Sequence, residues 1–181
     1  MGKFDKLIYT MPVEHHNWDH YVSPRCGYSG TEVDPEATVN FGFSVTYDEN
    51  VMEEPHMHDA KDEYLFFTGA DLEHFFESFD AEVVLYMGES PDAMEKIVID
   101  RPAMVRVPKY YWHGPIEITR LGKPLFFQPV LKAPRYYAIY RRFGQDGRPY
   151  YSAVVEGTTP NELDPDKVCV NGVPCAGQEV K

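Results

Sequence analysis

Apolar and polar positions alternate with a period of two through most of the middle of this chain. Residues 39–47 set Phe41, Phe43, Val45 and Tyr47 against Gly42, Ser44 and Thr46, the pattern of a strand. A turn at Asp48-Glu49-Asn50 leads into residues 51–58, and the polar stretch 59–62 separates these from a second apolar run at 63–67. Residues 81–88 are rich in Val, Leu and Tyr, which favour strands. Residues 94–100, 103–107, 113–119 and 125–131 continue the series between turn signals. Phe75, Phe76 and Phe79 in residues 70–80 suit one helical turn or an irregular loop. Further on, the tyrosine-rich stretches 136–143 and 150–155 flank Gly144-Gln145-Asp146-Gly147 and read as a hairpin that extends a sheet. Many short strands with few helices predict an all-β sandwich or barrel. Residues 1–38 read as an N-terminal arm packed on the barrel, 39–131 as the barrel itself, and 132–181 as C-terminal strands and an irregular tail.

Length and composition narrow this picture. A chain of 181 residues suits one domain with a full core. With 25% charged and 43% hydrophobic residues it reads as globular. A formal net charge of −12 disfavours nucleic acid and anionic membrane surfaces, both of which need concentrated basic groups. Residues 1–10 carry charges throughout and lack the apolar core of a secretory signal, and no run is long enough to span a bilayer. Lys6 stands where a myristoylation pattern wants Ser or Thr. Three cysteines, an odd number, argue against a secreted disulfide framework. Cys169 and Cys175 flank the turn pair Asn171-Gly172, yet free thiols in the cytoplasm are the simpler expectation.

The chemistry concentrates at His56-x-His58-x4-Glu63. Side chains two apart on a strand share a face, so both imidazoles point one way, and the returning strand sets Glu63 opposite them. Two imidazoles and a carboxylate suit a divalent first-row metal. Asp59 and Asp62 are the alternative acids, but spacing and alternation favour Glu63. Downstream, a strand runs to Pro108, a tight turn follows, and His113 opens the next strand as a fourth ligand. A single histidine on a strand is usually an ordinary core or surface residue; this combination is much harder to produce by chance. His15, His16 and His20 also cluster, but adjacent strand residues face opposite ways and no acid is spaced to match, so they do not read as a second metal site.

These two stretches resemble the paired motifs of the cupin superfamily, H-x-H-x(3,4)-E-x6-G and G-x5-P-x-G-x2-H-x3-N. His56, His58, Glu63 and Gly69 follow the first, with one residue fewer before the glycine, and Pro108 and His113 follow the second. The chain departs from the pattern at Asn50 and Pro102, where leading glycines are usual, at Tyr110 in the turn, and at Glu117 in place of the final Asn. The resemblance implies a double-stranded β-helix jelly roll over about residues 40–131, a single barrel, and a homodimer formed by sheet extension. It also implies one divalent metal ion, with Fe(II) or Mn(II) favoured and Zn, Ni, Co and Cu compatible with the same ligands.

Around the metal, strand parity gives Glu117 the same facing as His113, making it a candidate general acid or base; the plainer reading is a solvated strand residue. Arg106 is a candidate carboxylate binder, Tyr111 a candidate lining residue for an aromatic or planar substrate, and Gln128, in an otherwise apolar strand, a candidate ligand contact. For Arg106 a surface position on the solvent face is the favoured reading, while core or interface packing explains Tyr111 just as well and a buried backbone contact explains Gln128. Three histidines and one carboxylate without a thiolate leave open positions, as catalysis requires. The expected function is a metal-dependent enzyme on a small organic substrate, with oxygenase chemistry ranked ahead of isomerase or decarboxylase/lyase chemistry. A non-enzymatic small-molecule-binding or sensing module is the competing reading.

Overall fold

The structure, a computed structural model, describes residues 5–59, 61–155 and 161–163. The two cysteines Cys169 and Cys175 and most of the irregular tail lie outside the described residues. Two antiparallel sheets face each other. One has the order β1(Val13–Glu14), β2(Arg25–Ser29), β3(Asn40–Thr46), β11(Leu125–Leu131), β6(Glu63–Gly69), β9(Ala103–Val107). The other runs β14(Asn161–Leu163), β13(Pro149–Val155), β12(Tyr137–Phe143), β5(His56–Met57), β10(Trp112–Leu121), β7(Ala81–Gly88), β8(Glu95–Ile99), and β4(Asn50–Met52) also pairs with β10. The expected all-β jelly roll is the observed architecture. Residues 70–80 form turns without a helix, and Phe75 lies against Phe126 on the outer face of the first sheet, 5.8 Å between ring centroids.

Alternation explains most of the core. Leu65, Phe67, Leu125 and Phe127 from the first sheet meet Met52, Val83, Leu85, Ile116 and Ile118 from the second. A fully buried side chain such as Phe67 contributes roughly 1.5–3 kcal/mol. On β3 the apolar residues take the opposite phase. Asn40, Ser44 and Thr46 are buried while Phe41, Phe43 and Val45 are half-buried, and Phe43 packs on Phe126 at 5.6 Å. The small polar residues of this strand therefore line the space between the sheets, and that space stays partly open.

Both terminal extensions join the sheets. The N-terminal strands β1 and β2 continue the first sheet beyond β3. The C-terminal hairpin β12–β13 pairs along residues 137–155 and docks on β5, setting Tyr140 beside His56 and Ile139 beside Met57.

One irregularity shapes everything near the centre. His113 pairs with Met87 and Ile116 with Leu85, so β10 carries one extra residue between them. Gly114 sits there with φ +86°, a left-handed conformation open to glycine. A Cβ at this position would stand 3.0 Å from the Glu54 carbonyl oxygen. Opposite, the run of residues 51–58 is interrupted: Glu53 has φ +64°, and β4 and β5 are separate strands. The turn before β10 holds Tyr110 at φ +69°, the position where the motif has glycine. Gly114→Ala is expected to destabilise the protein by about 1–2 kcal/mol, from left-handed strain alone; a chemical-denaturation midpoint unchanged from wild type would contradict this.

Candidate metal centre

His56 comes from β5, His58 from the residues directly after it, Glu63 from the start of β6 and His113 from the start of β10. Their ligand atoms all lie within 4.8 Å of one another, and each residue is at most 2% exposed. Glu63 Oε2 stands 3.2 Å from His58 Nε2 and 3.0 Å from His113 Nε2.

Three backbone carbonyls aim the imidazoles. His56 Nδ1 lies 2.8 Å from the Glu54 oxygen, His58 Nδ1 2.6 Å from the Tyr137 oxygen, and His113 Nδ1 3.4 Å from the Tyr111 oxygen. A carbonyl can only accept, so each Nδ1 carries the proton and each Nε2 turns inward with its lone pair free. His113 Nε2 is buried and makes no properly directed hydrogen bond despite its closeness to Glu63. An unpartnered buried nitrogen is costly, and a cation among these four atoms would satisfy it. The residues present thus fit a divalent metal ion, with three neutral nitrogens and one carboxylate oxygen.

The electrostatics agree with a cation site. Burial would raise the Glu63 carboxyl, but His58 and His113 beside it outweigh that and hold it well below the usual carboxylate range. Burial, helped by His113 and His58, pushes His56 well below the ordinary imidazole value. For His58, burial acts downward, while the charge and hydrogen bond of Glu63 raise it overall.

A second carboxylate reaches this centre from a residue with no sign in the sequence pattern. Glu53 Oε2 lies 3.5 Å from His56 Nε2. Burial and then the charge of Glu63 push its carboxyl up to about 7. Strand parity would place Glu54 on the face of His56 and Glu53 on the other. The positive φ at Glu53 reverses this: Glu54 points outward to Arg142, 2.9 Å away, and Glu53 turns in. Glu53 belongs both to the lining of the metal centre and to a chamber of about 220 Å³ beside it, which the two cavities share along Tyr28, Phe127 and Pro129. The chamber is completed by Trp18, Tyr21 and Arg25 from the N-terminal arm and by Gly42 and Ser44 of β3. Tyr136 and Tyr140, hydrogen-bonded at 2.6 Å, flank the histidines, with Tyr140 stacked on His56 at 4.9 Å.

The other candidates are placed elsewhere. The bulge at Gly114 shifts the parity of β10, so Ile116 and Ile118 enter the core while Glu117 faces away, opposite Val51 and Val84. Arg106 alternates with the buried Val107 and is 58% exposed; it binds Asp62 at 2.8 Å, and Asp62 also accepts the Lys109 N–H at 3.0 Å. This pair fastens the surface loop and takes Asp62 out of contention as a ligand. Tyr111 donates its hydroxyl to Glu89 at 2.9 Å in a separate cavity with Met87 and Ile97. Trp112 is fully buried against Met57 and Ile139. Gln128 is half-buried on the outer phase of β11, because Phe127 and Pro129 take the inner one. His16 stacks on Trp18 and His20 meets Asp48, so the early histidines are occupied separately.

The chain thus has the cupin fold, with a three-histidine, one-carboxylate donor set between its two sheets. Solved structures agree with the fold. Lactobacillus farciminis oxalate decarboxylase in complex with formate aligns with a TM-score of 0.52 at 17% identity, over 72% of this chain and 33% of that one. A variant of Bacillus subtilis oxalate decarboxylase aligns with a TM-score of 0.51 at 13% identity, over 70% and 29%. A structure of the same enzyme concerned with its Mn(II) centres aligns at 0.50 and 13%, over 68% and 29%. The aligned region spans about a third of those chains. No protein-family model and no curated protein matches the sequence. Among the described residues, no helix is long and apolar enough to cross a membrane.

One divalent ion per chain is the expected stoichiometry in a metal titration. Glu63→Gln should weaken Mn(II) affinity by more than about 100-fold, beyond the usual effect of losing a supporting contact. Protons compete with the ion for imidazole nitrogens. His58, held in its charged form to higher pH by Glu63, is the first to compete, so affinity should begin to fall above the ordinary imidazole value and go on falling as the pH drops. Affinity that is flat from pH 8 to 5 would contradict this ligand set.

Proposed function

We propose that this protein is a metal-dependent enzyme acting on a small organic substrate held in the chamber between the N-terminal strands and the metal centre. The observation that carries this reading is the shared wall: the cleft lined by His56, Glu63 and His113 borders a chamber of about 220 Å³ along Glu53, Tyr28, Phe127 and Pro129. That volume equals roughly seven waters at about 30 Å³ each, which suits a substrate of a few carbons.

His56, His58, Glu63 and His113 would hold the ion, with Fe(II) or Mn(II) favoured by the mixed nitrogen and oxygen set. When bound, the ion supplies Lewis-acid polarisation of a substrate oxygen or one-electron chemistry with dioxygen. The chain's own residues provide the rest. Leu65, Ile116 and Phe127 keep water from the inner wall. Glu53 is placed to hold or move a proton at the substrate atom nearest His56. The tyrosines present aromatic faces that position a small planar or hydroxylated molecule.

Oxygen-dependent chemistry ranks first. Decarboxylase or isomerase chemistry is the second reading, favoured by Glu53, since a carboxylate beside the open side serves proton transfer to carbon or oxygen. The solved decarboxylases with this fold keep that chemistry in view.

Metal-loaded protein should turn over one member of a panel of small hydroxy acids, diols and diketones, with stoichiometric oxygen uptake. His58→Ala should lower that turnover by at least about 100-fold. Full turnover under strict anoxia would transfer the assignment to lyase or isomerase chemistry. Stable metal loading with ligand binding but no product would establish a non-enzymatic binding module instead.

A further inference from the structure

The chamber beside the metal centre carries a polar set of its own. Two charged side chains line it, Arg25 and Glu53, and of these only Glu53 also borders the cleft of the histidines. Ser44, like Arg25, lines the chamber and not the cleft, while Tyr28 lines both. Residues three apart on a regular strand face opposite ways. Between Cys26, paired with Phe43, and Ser29, paired with Phe41, β2 holds one residue more than β3, and this bulge lets Arg25 and Tyr28 face one space. The Arg25 guanidinium is held in place with donors to spare. Its Nε and Nη2 are each 2.7 Å from a single oxygen, Oε2 of Glu14, the residue opposite it on β1. Its central carbon lies 4.4 Å from the centre of the Trp18 ring. Among the described residues Nη1 has no partner, and neither do the hydroxyls of Tyr28 and Ser44, whereas the Tyr21 hydroxyl is taken by Asn50 at 3.1 Å.

Resting on the reading that this chamber holds the substrate of a metal-dependent enzyme, we propose that Arg25, Tyr28 and Ser44 form a carboxylate subsite. The substrate is then a short carboxylic acid whose carboxylate sits at the Arg25 end of the chamber and whose second oxygen function, a hydroxyl or carbonyl, reaches toward the metal centre. A guanidinium can only donate hydrogen bonds, and the two hydroxyls each have a hydrogen to give. A carboxylate is the partner that takes several donors at once, and its bonds to a guanidinium are charge-assisted. Glu14 occupies one edge of the planar guanidinium and leaves Nη1 free for a ligand. The side chain of Glu14 is 43% exposed and that of Arg25 19%, so water screens the Glu14 charge more than it screens the arginine. Arginine keeps its charge across the working pH range. The subsite therefore does not depend on the protonation of Glu53, which stands on the wall shared with the metal centre. Phe43, Met52, Phe127 and Pro129 complete an otherwise apolar lining, which suits a short carbon chain between the two polar ends.

The test uses two probes of nearly the same shape, propanoate and propanamide, titrated calorimetrically into the full chain loaded with Mn(II). Wild type is expected to bind propanoate at least about tenfold more tightly than propanamide. Arg25→Gln should weaken propanoate by at least about tenfold and leave propanamide within about twofold, with Mn(II) stoichiometry unchanged. Glu14→Gln, which releases the guanidinium from its exposed partner, should tighten propanoate; an arginine with a purely structural role would give no such gain. Equal propanoate affinity in wild type and Arg25→Gln, both fully loaded with Mn(II), overturns the subsite and leaves the metal centre standing. A wild type that takes up no Mn(II) overturns the enzymatic reading, and Arg25-dependent propanoate binding in that same protein still supports the subsite. Should Arg25→Gln not fold, wild type alone decides: propanamide bound as tightly as propanoate overturns the proposal.

Discussion

Four polar ligand atoms buried between two β-sheets are the constraint on which the rest of this structure turns. A carboxylate and three imidazoles at 2% exposure or less lose their hydration, and Glu63 can serve only part of what they need. It lies close to His58 and His113, while His113 Nε2 is left without a directed hydrogen bond. A cation resolves that cost, and the fold spends backbone groups to prepare for it. Carbonyls of Glu54, Tyr111 and Tyr137 fix all three imidazoles in the orientation that points Nε2 inward. The Tyr137 carbonyl comes from 79 residues beyond His58. The C-terminal hairpin is therefore a wall of the centre, and its docking on β5 is part of how the site is assembled.

Two backbone irregularities then divide inner from outer surface. The extra residue at Gly114 lets His113 face the centre while Ile116 and Ile118 enter the apolar core. The left-handed Glu53 breaks the strand facing it and turns a second carboxylate inward. These features meet across the same gap, since the Glu54 carbonyl lies next to Gly114 and also accepts from His56. Strain, ligand orientation and the extra carboxylate are thus coupled at one place.

This division also explains what was legible in the sequence. Alternation predicts the strands that carry His56, Glu63 and His113 and the shared facing of His56 and His58, because on regular strands side-chain facing follows from spacing alone. The jelly roll follows from the same periodicity and the resemblance of the two motifs. Counting from His113 on a regular strand gives Glu117 an inward facing, and the bulge between them shifts the count. Glu53 was invisible for the mirrored reason: regular alternation puts it on the outer face, and nothing in the composition announces a positive φ at a glutamate. Arg106 and Gln128 face outward on regular strands, where Val107 and Phe127 take the inner phase. The contribution of Trp18, Tyr21 and Arg25 to the chamber depends on how the N-terminal arm packs, a long-range matter that local pattern does not encode.

The central claim is that His56, His58, Glu63 and His113 together hold one divalent ion. The most direct measurement is anomalous diffraction from crystals of the Mn(II)-loaded protein. A single strong peak between these four side chains, with an atom of each as a ligand, is the expected result. A peak bound elsewhere, or one lacking any of the four as a ligand, would contradict it.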